Sequence, residues 1–302
     1  MNSVVDKIND VFSSPIYRIS PYTTYSDSFN IMLDSAPNHS LVSENIDYLE
    51  KFCVSGRSAL SLALDAAKLS FDDEVLIITS SGSRYVSSCV TNTIESYCKH
   101  SRLPSAKTKC VVVIHEFGKF CNFDRTDFPL HWVIIEDYAH SFWGLKKQNL
   151  FQGDFIVFSL SKFLNIKNGG LLLYRKRYEK INKLNDCGIS RNVFYNNSDN
   201  LDNIFNAKNE LKIHYERFFN NFSEGSFFEF EEYECPGVYL FKINLPQDIL
   251  HKIKVKLQKN FIECSVFYGE AAFFLPCNFN MKKNDVEYIS KIFEAAIKDS
   301  LL

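Results

Sequence analysis

The stretch Trp132-Val133-Ile134-Ile135-Glu136-Asp137-Tyr138-Ala139-His140 decides the fold. Its first half is a short apolar run of the kind found in strands buried on both faces. Its second half turns abruptly to carboxylates and a histidine. The same change recurs on either side: Cys110 to His115 (CVVVIH) runs into Glu116-Phe117-Gly118, and Phe155 to Leu160 runs into Ser161-Lys162. Glu74 to Thr79 and Gly170 to Tyr174 read as further strands. Ala59 to Leu69 is Ala/Leu-rich and helical by pattern, and Tyr85 to His100 reads as another helix. Strands alternating with helices imply an α/β fold, with a mostly parallel central sheet flanked by helices. Ligands of such sheets lie at the carboxyl ends of the strands, where these polar residues fall.

A chain of 302 residues suits one large domain with a smaller appendage. We expect an N-terminal arm over 1–40, a large α/β domain over 41–185 and a small α+β domain over 186–302. The last should hold a helix over 200–222, a strand from Val238 to Asn244, a helix over 247–259, a short strand over 261–267 and a helix over 284–299. Hydrophobic residues at 46% and charged ones at 23% fit a soluble protein with a sizeable core. A net charge of −2 weighs against a nucleic-acid binder. No apolar run approaches the ~18 residues of a membrane span, and the first residues lack the pattern of a signal peptide. Nine cysteines, an odd count with none two residues apart, argue against a disulfide framework and a ribbon-type zinc site. Free thiols in a reducing cytosol are the expectation.

Pyridoxal phosphate (PLP) demands a lysine to hold its aldehyde, a carboxylate to pair with its ring nitrogen, a helix N-terminus to cradle its phosphate and a flat side chain to cover the ring. The chain offers each in order. Ser55-Gly56-Arg57-Ser58 opens the Ala-rich helix, Tyr85 follows the next strand, Asp137 ends a buried strand and Lys162 lies beyond another. Plainer readings stand beside these. Asp137 and Ser55 suit helix caps, Tyr85 and His140 suit the core, and Arg57 suits either a phosphate contact or solvent. His115 and Cys121 lack a third ligand at metal-site spacing, so no metal is expected. The lysines at 252, 254, 256 and 259 read as a solvated edge, and Glu231-Glu232 with Glu234 as a solvated turn.

The residues carry a family resemblance. The chain resembles the DegT/DnrJ/EryC1/StrS sugar aminotransferases, PLP enzymes of fold-type I, over roughly residues 50–175 and again over 261–297. The family's phosphate loop looks like Ser55-Gly56-Arg57-Ser58-Ala59-Leu60, and its His-x-(Phe/Tyr)-Gly turn like His115-Glu116-Phe117-Gly118. Its Glu-Asp-Ala-Ala-(His/Gln) motif is matched by Glu136 to His140, and its lysine segment by Gly153-Asp154, Phe158-Ser159, Lys162 and Gly169-Gly170. Its closing segment is matched by Leu275-Pro276, Met281 and Asp285-Val286. The resemblance implies that Asp137 pairs with the pyridine nitrogen, His140 sits by the phenolic oxygen, Ser159 helps bind phosphate and Lys162 forms the Schiff base.

Three departures mark this chain. Ser159 and Lys162 are three residues apart where the family has five. The usual Gly-Glu-Gly-Gly is Lys167-Asn168-Gly169-Gly170. The family's Asn-Tyr-Arg-Met segment has no counterpart beyond Ser190-Arg191-Asn192. The resemblance implies an amino-acid donor such as glutamate, a keto-sugar acceptor carried on a nucleotide, and a homodimer. Aromatic residues in irregular segments (Tyr17, Tyr22, Tyr25 and Phe29; Phe267, Tyr268, Phe273 and Phe274) also suggest a partner surface. The alternatives are a PLP enzyme with another acceptor or reaction, and a cofactor-free homologue acting as a scaffold.

Overall fold

The structure, a computed structural model, describes residues 15–21, 47–146, 148–183 and 186–301. Its central sheet has seven strands: β1 (Tyr48–Cys53), β2 (Glu74–Thr79), β3 (Lys99–Ser101), β4 (Thr108–Ile114), β5 (Val133–Asp137), β6 (Phe155–Ser159) and β7 (Gly170–Arg175). Their order is β1-β7-β6-β5-β4-β2-β3. Strands β3, β2, β4, β5 and β6 run parallel. β7 returns antiparallel to β6, and β1 is antiparallel to β7. The link from β6 to β7 is too short for a crossover helix, so the chain can only double back.

The first helix, α1 (Gly56–Ala67), buries Ala59, Leu60, Ala63 and Leu64 along one face. It stops short of the expected Leu69 because Lys68 turns left-handed, at φ 54°, and its amide closes on Asp65. The helix expected over 85–100 is only α2 (Ser88–Glu95). Ser87 caps it, and after it the amides of Tyr97 and Cys98 fold back on the Ile94 carbonyl. The chain then pairs as β3 with the edge of β2. Helices α1 and α2 cover one sheet face with aliphatic side chains such as Leu64, Val90 and Ile94. The other face is aromatic, built on Tyr138, Phe142, Phe158, Phe163 and Phe194.

Helix α3 (Gly188–Asn197) and then α4 (Leu201–Phe219) lead to a second sheet. It comprises β8 (Val238–Lys242), β9 (Ser265–Val266) and β10 (Ala272–Pro276), in antiparallel order β8-β10-β9. Helices α5 (Gln247–Lys259) and α6 (Lys283–Leu301) pack with it. Leu201 and Ile204 at the start of α4 join the aromatic layer of the large sheet. Leu211, Tyr215 and Phe219 at its end join the core of the small one, so α4 ties the two together.

Two expectations fail here. The aromatics near the end do not form an irregular exposed cluster: Phe273 and Phe274 lie in β10, and both are buried with Phe267, leaving only Tyr268 exposed. The five residues of β10 end in Pro276, and a proline within a run demotes it as a strand in sequence. In the arm, Tyr17 packs on Tyr288 at 5.5 Å, while Tyr22, Tyr25 and Phe29 lie outside the described residues. Glu234 is not solvated either. It is buried, paired with Lys119 at 2.7 Å and accepts the amides of Phe120 and Glu231.

Candidate active site

The carboxyl ends of β4, β5 and β6 open into a cavity of about 570 Å³, with Tyr85, beyond β2, on its wall. Ser55, Gly56, Arg57, Tyr85, Asp137, His140, Ser159 and Lys162 all line it. Ser58 does not. Its hydroxyl donates to the Ser55 carbonyl at 2.8 Å and accepts the Ser55 amide at 2.9 Å, while its own amide donates to Ser55 Oγ. Ser58 is thus half of a capping box. With Ser55 and Ser58 engaged with one another, the amides of Gly56 and Arg57 have no acceptor among the described residues. They are the free donors that a helix N-terminus offers an anion.

Glycines bring this terminus close to the sheet. A Cβ on Gly56 would lie 2.8 Å from Ser159 Cβ, and one on Gly170 would lie 2.2 Å from the Ser55 carbonyl oxygen. Ser159 Oγ lies 3.4 Å from Ser161 Oγ. The shortened link after Ser159 forms a single 3-10 turn, Leu160–Lys162, which brings Lys162 to the cavity wall. Lys162 is half-buried and has no hydrogen bond or ion pair among the described residues. Of the altered loop, Asn168 lines the cavity and Lys167 is exposed.

Successive residues of β5 point to opposite faces, which separates the two neighbouring carboxylates. Glu136 is fully buried. It accepts the amides of Gln152 at 2.7 Å and Gly153 at 2.5 Å and lies 3.2 Å from His115 Nε2. His115 Nδ1 accepts the Cys121 amide at 2.9 Å, so both ring nitrogens are engaged, and the ring stacks on Tyr138 at 3.7 Å. Asp137 faces the cavity with one partner, the Ala139 amide at 2.9 Å. Burial pushes its pKa up, against the opposing pull of that amide and of His115. No cation pairs with it among the described residues. His140 is held neutral: burial lowers its pKa far below the ordinary value, and the charges of Lys162 and Lys208 add to this.

The wall opposite is aromatic. Tyr85 packs on Phe267 at 4.8 Å, and Phe117 lies 5.1 Å from Phe274 and 5.4 Å from the His140 ring. Phe117 and Gly118 both take positive φ, at 49° and 98°, which turns Phe117 into this wall. Arg57 points along the cavity edge to Cys89, its Nη2 3.1 Å from the sulfur. Burial raises the Cys89 pKa, but hydrogen bonds from Arg57 and Ser87 and the charges of Arg57 and Lys162 outweigh it, leaving the thiol more acidic than usual. The sequence reading missed Cys89, Glu263 and Ile19 as lining residues. Glu263 Oε2 accepts the Ile19 amide at 2.7 Å, and Ser20 Oγ bonds the Ser161 carbonyl, so residues 19–20 strap the small sheet to the Lys162 turn. Ser190 and Arg191 do not reach the cavity: Ser190 holds the Cys53 carbonyl and Arg191 pairs with Glu50.

These features fit PLP: free amides for a phosphate, a lysine without a partner, and a buried carboxylate short of a cation. The comparisons with known proteins agree. The "Putative sugar aminotransferase Spr1654 from Streptococcus pneumoniae", in its apo form, superposes with a TM-score of 0.67 at 14% identity, over 99% of this chain and 95% of that one. A DegT/DnrJ/EryC1/StrS aminotransferase from Brucella abortus gives 0.62 at 12% identity, over 82% and 85%. DesI in the presence of its TDP-sugar product gives 0.64 at 12%, over 83% and 81%. At these identities the likeness is one of fold. No curated protein matches the chain. The model of a family described as "Putative PLP-dependent aminotransferase" matches residues 45–222, more than half of the chain, which therefore belongs to that family of PLP-dependent aminotransferases.

Proposed function

We propose that the chain moves an amino group from an amino acid, with glutamate the expected donor, to the carbonyl carbon of a keto-sugar carried on a nucleotide. The observation that carries this reading is the convergence of Lys162, Asp137 and the free amides of Gly56 and Arg57 on one cavity. When bound, PLP supplies the electron sink that loosens a proton on the donor's α-carbon. The residues supply the rest. The amides of Gly56 and Arg57, with Ser159, bind the phosphate. Asp137 holds the proton on the ring nitrogen, a cation that meets the need its burial creates. His140, neutral, would sit by the ring oxygen, and Tyr85 would cover one face of the ring. Lys162 would carry the proton away from the donor's α-carbon and later deliver one to the acceptor's carbon.

A sugar acceptor is supported by the fold shared with DesI, whose structure was determined with a TDP-sugar. It is supported too by the polar Asn168, Glu263 and Ser87 on the cavity wall, which suit hydroxyls. We also assign the protein a homodimeric state and a reducing, cytosolic setting, which suits nine free cysteines.

The test is stepwise. Purified protein with PLP should absorb at roughly 410–430 nm. Glutamate should bleach this band and one nucleotide-linked keto-sugar should restore it. Bleaching by glutamate with no recovery across a panel of such sugars would overturn the acceptor. No band at all would overturn the enzyme reading.

A further inference from the structure

Lys208 sits in mid-α4, 1% exposed, and no carboxylate pairs with it among the described residues. It interrupts the apolar stripe of Leu201, Ile204, Leu211 and Tyr215, at a place where the helix pattern calls for an aliphatic side chain. Burying a cation without a counter-ion is costly. Its Nζ donates to three carbonyl oxygens: Cys277 at 2.9 Å, Pro236 at 3.1 Å and Gly237 at 3.5 Å. Three acceptors match the three donors of an ammonium.

Those acceptors lead to the site. Cys277 follows β10, and Pro236-Gly237 leads into β8. The Gly237 amide donates to the Phe117 carbonyl at 2.6 Å. A Cβ on Gly237 would lie 2.7 Å from His140 Cβ and 2.9 Å from its Nδ1. Lys208 therefore clamps the backbone that presses on His140 and Phe117, two side chains of the cavity wall.

We propose that Lys208 is a positioning residue of the aminotransferase site: its ammonium fixes Pro236-Gly237 against the His140 ring and so holds that ring in place on the cavity wall. The role of His140 beside the cofactor rests on the function proposed above. Lys208 also acts through charge. With Lys162 it opposes protonation of His140, while the thiols near it, Cys235 and Cys277, are pushed up by burial to about 12 and about 11 and stay neutral.

The experiment compares wild type, Lys208→Met and Lys208→Arg. In the apo-protein, NMR of ¹³C-labelled histidine follows the protonation of His140, its signal assigned by loss in His140→Gln. In Lys208→Met the His140 midpoint should rise, since one opposing charge is gone. The Kd for PLP should rise about tenfold, the scale on which loss of an orienting neighbour acts. Lys208→Arg keeps the charge, so the midpoint should stay low while the Kd still rises, because a planar guanidinium cannot reproduce the three-carbonyl clamp. A folded Lys208→Met with the wild-type midpoint and Kd overturns the proposal. Should Lys208→Met not fold, Lys208→Arg decides: a wild-type His140 chemical shift and Kd would overturn it. Failure of the wild type to bind PLP would count against the function, whereas the NMR comparison still judges the clamp.

Discussion

Gly56 and Ser159 stand so close that a single methyl on the glycine would reach within 2.8 Å of the serine Cβ. This contact joins the N-terminus of α1 to the end of β6, and so sets the free amides of Gly56 and Arg57 beside the turn that carries Lys162. Gly56→Ala should push the helix terminus off the sheet. Overpacking costs about 1–3 kcal/mol. Taken from cofactor binding, that is a rise of about five- to 140-fold in the Kd for PLP. Titration of the visible band measures it, and a Kd within twofold of wild type would refute the role given to this contact.

Gly118 should be the least replaceable glycine. Its φ is 98°, and a Cβ there would lie 1.8 Å from the Cys235 carbonyl oxygen. Gly225 has a similar φ, 102°, but open space around it. Both alanine variants pay for the backbone conformation, about 1–2 kcal/mol. Only Gly118→Ala adds the clash, so it should lose at least about 2 kcal/mol more. Urea denaturation of the two variants gives the difference, and equal losses would contradict the packing described.

Asp137→Asn should separate stability from catalysis. Burial raises the Asp137 pKa, so the folded apo-protein binds its proton more tightly than the unfolded chain does. Stability is then lost as pH rises through the unfolded value of about 3.9, and the loss is complete above the raised folded value. An amide carries no such penalty. The apo variant should melt no lower than wild type at pH 7, with its relative advantage shrinking toward pH 3, while turnover falls by orders of magnitude. A variant that melts well below wild type at pH 7 would show that Asp137 is chiefly a cap.

Cys89 should be the most reactive of the nine thiols. It is exposed and made more acidic by Arg57, whereas Cys53, Cys110, Cys121, Cys235, Cys264 and Cys277 are pushed up by burial. Iodoacetamide at pH 7 should label it first. Arg57→Ala, by raising its pKa, should slow labelling several-fold, on the order of threefold or more. An unchanged rate would mean that the Arg57–Cys89 contact does not persist in solution.

The sequence shows most where burial is two-sided. The apolar runs of β2, β4, β5 and β6 read as strands, and polar residues after β4, β5 and β6 fall together on the cavity. It shows least where tertiary contacts override local pattern. Strand β1 carries Glu50 and Lys51 in its middle, and Glu50 accepts hydrogen bonds from Arg191 and Tyr195 on a helix 140 residues on. Strand β10 ends in Pro276, which demotes the run as a strand in sequence. Lys208 and Glu234 are charged residues in the interior, made possible by carbonyls and amides far away in the chain, and spacing cannot reveal such partners. Ser58 belonged to the phosphate-loop pattern, yet a capping box draws its side chain away from the cavity.

The attachment of the cofactor to Lys162 is the central claim, and borohydride reduction of the PLP-loaded protein followed by peptide mapping tests it most directly. A pyridoxyl group should appear on Lys162, within the tryptic peptide 148–167, where the modified lysine also blocks cleavage. Label on another lysine with Lys162 free, or no label at all on a protein that binds PLP, would contradict it.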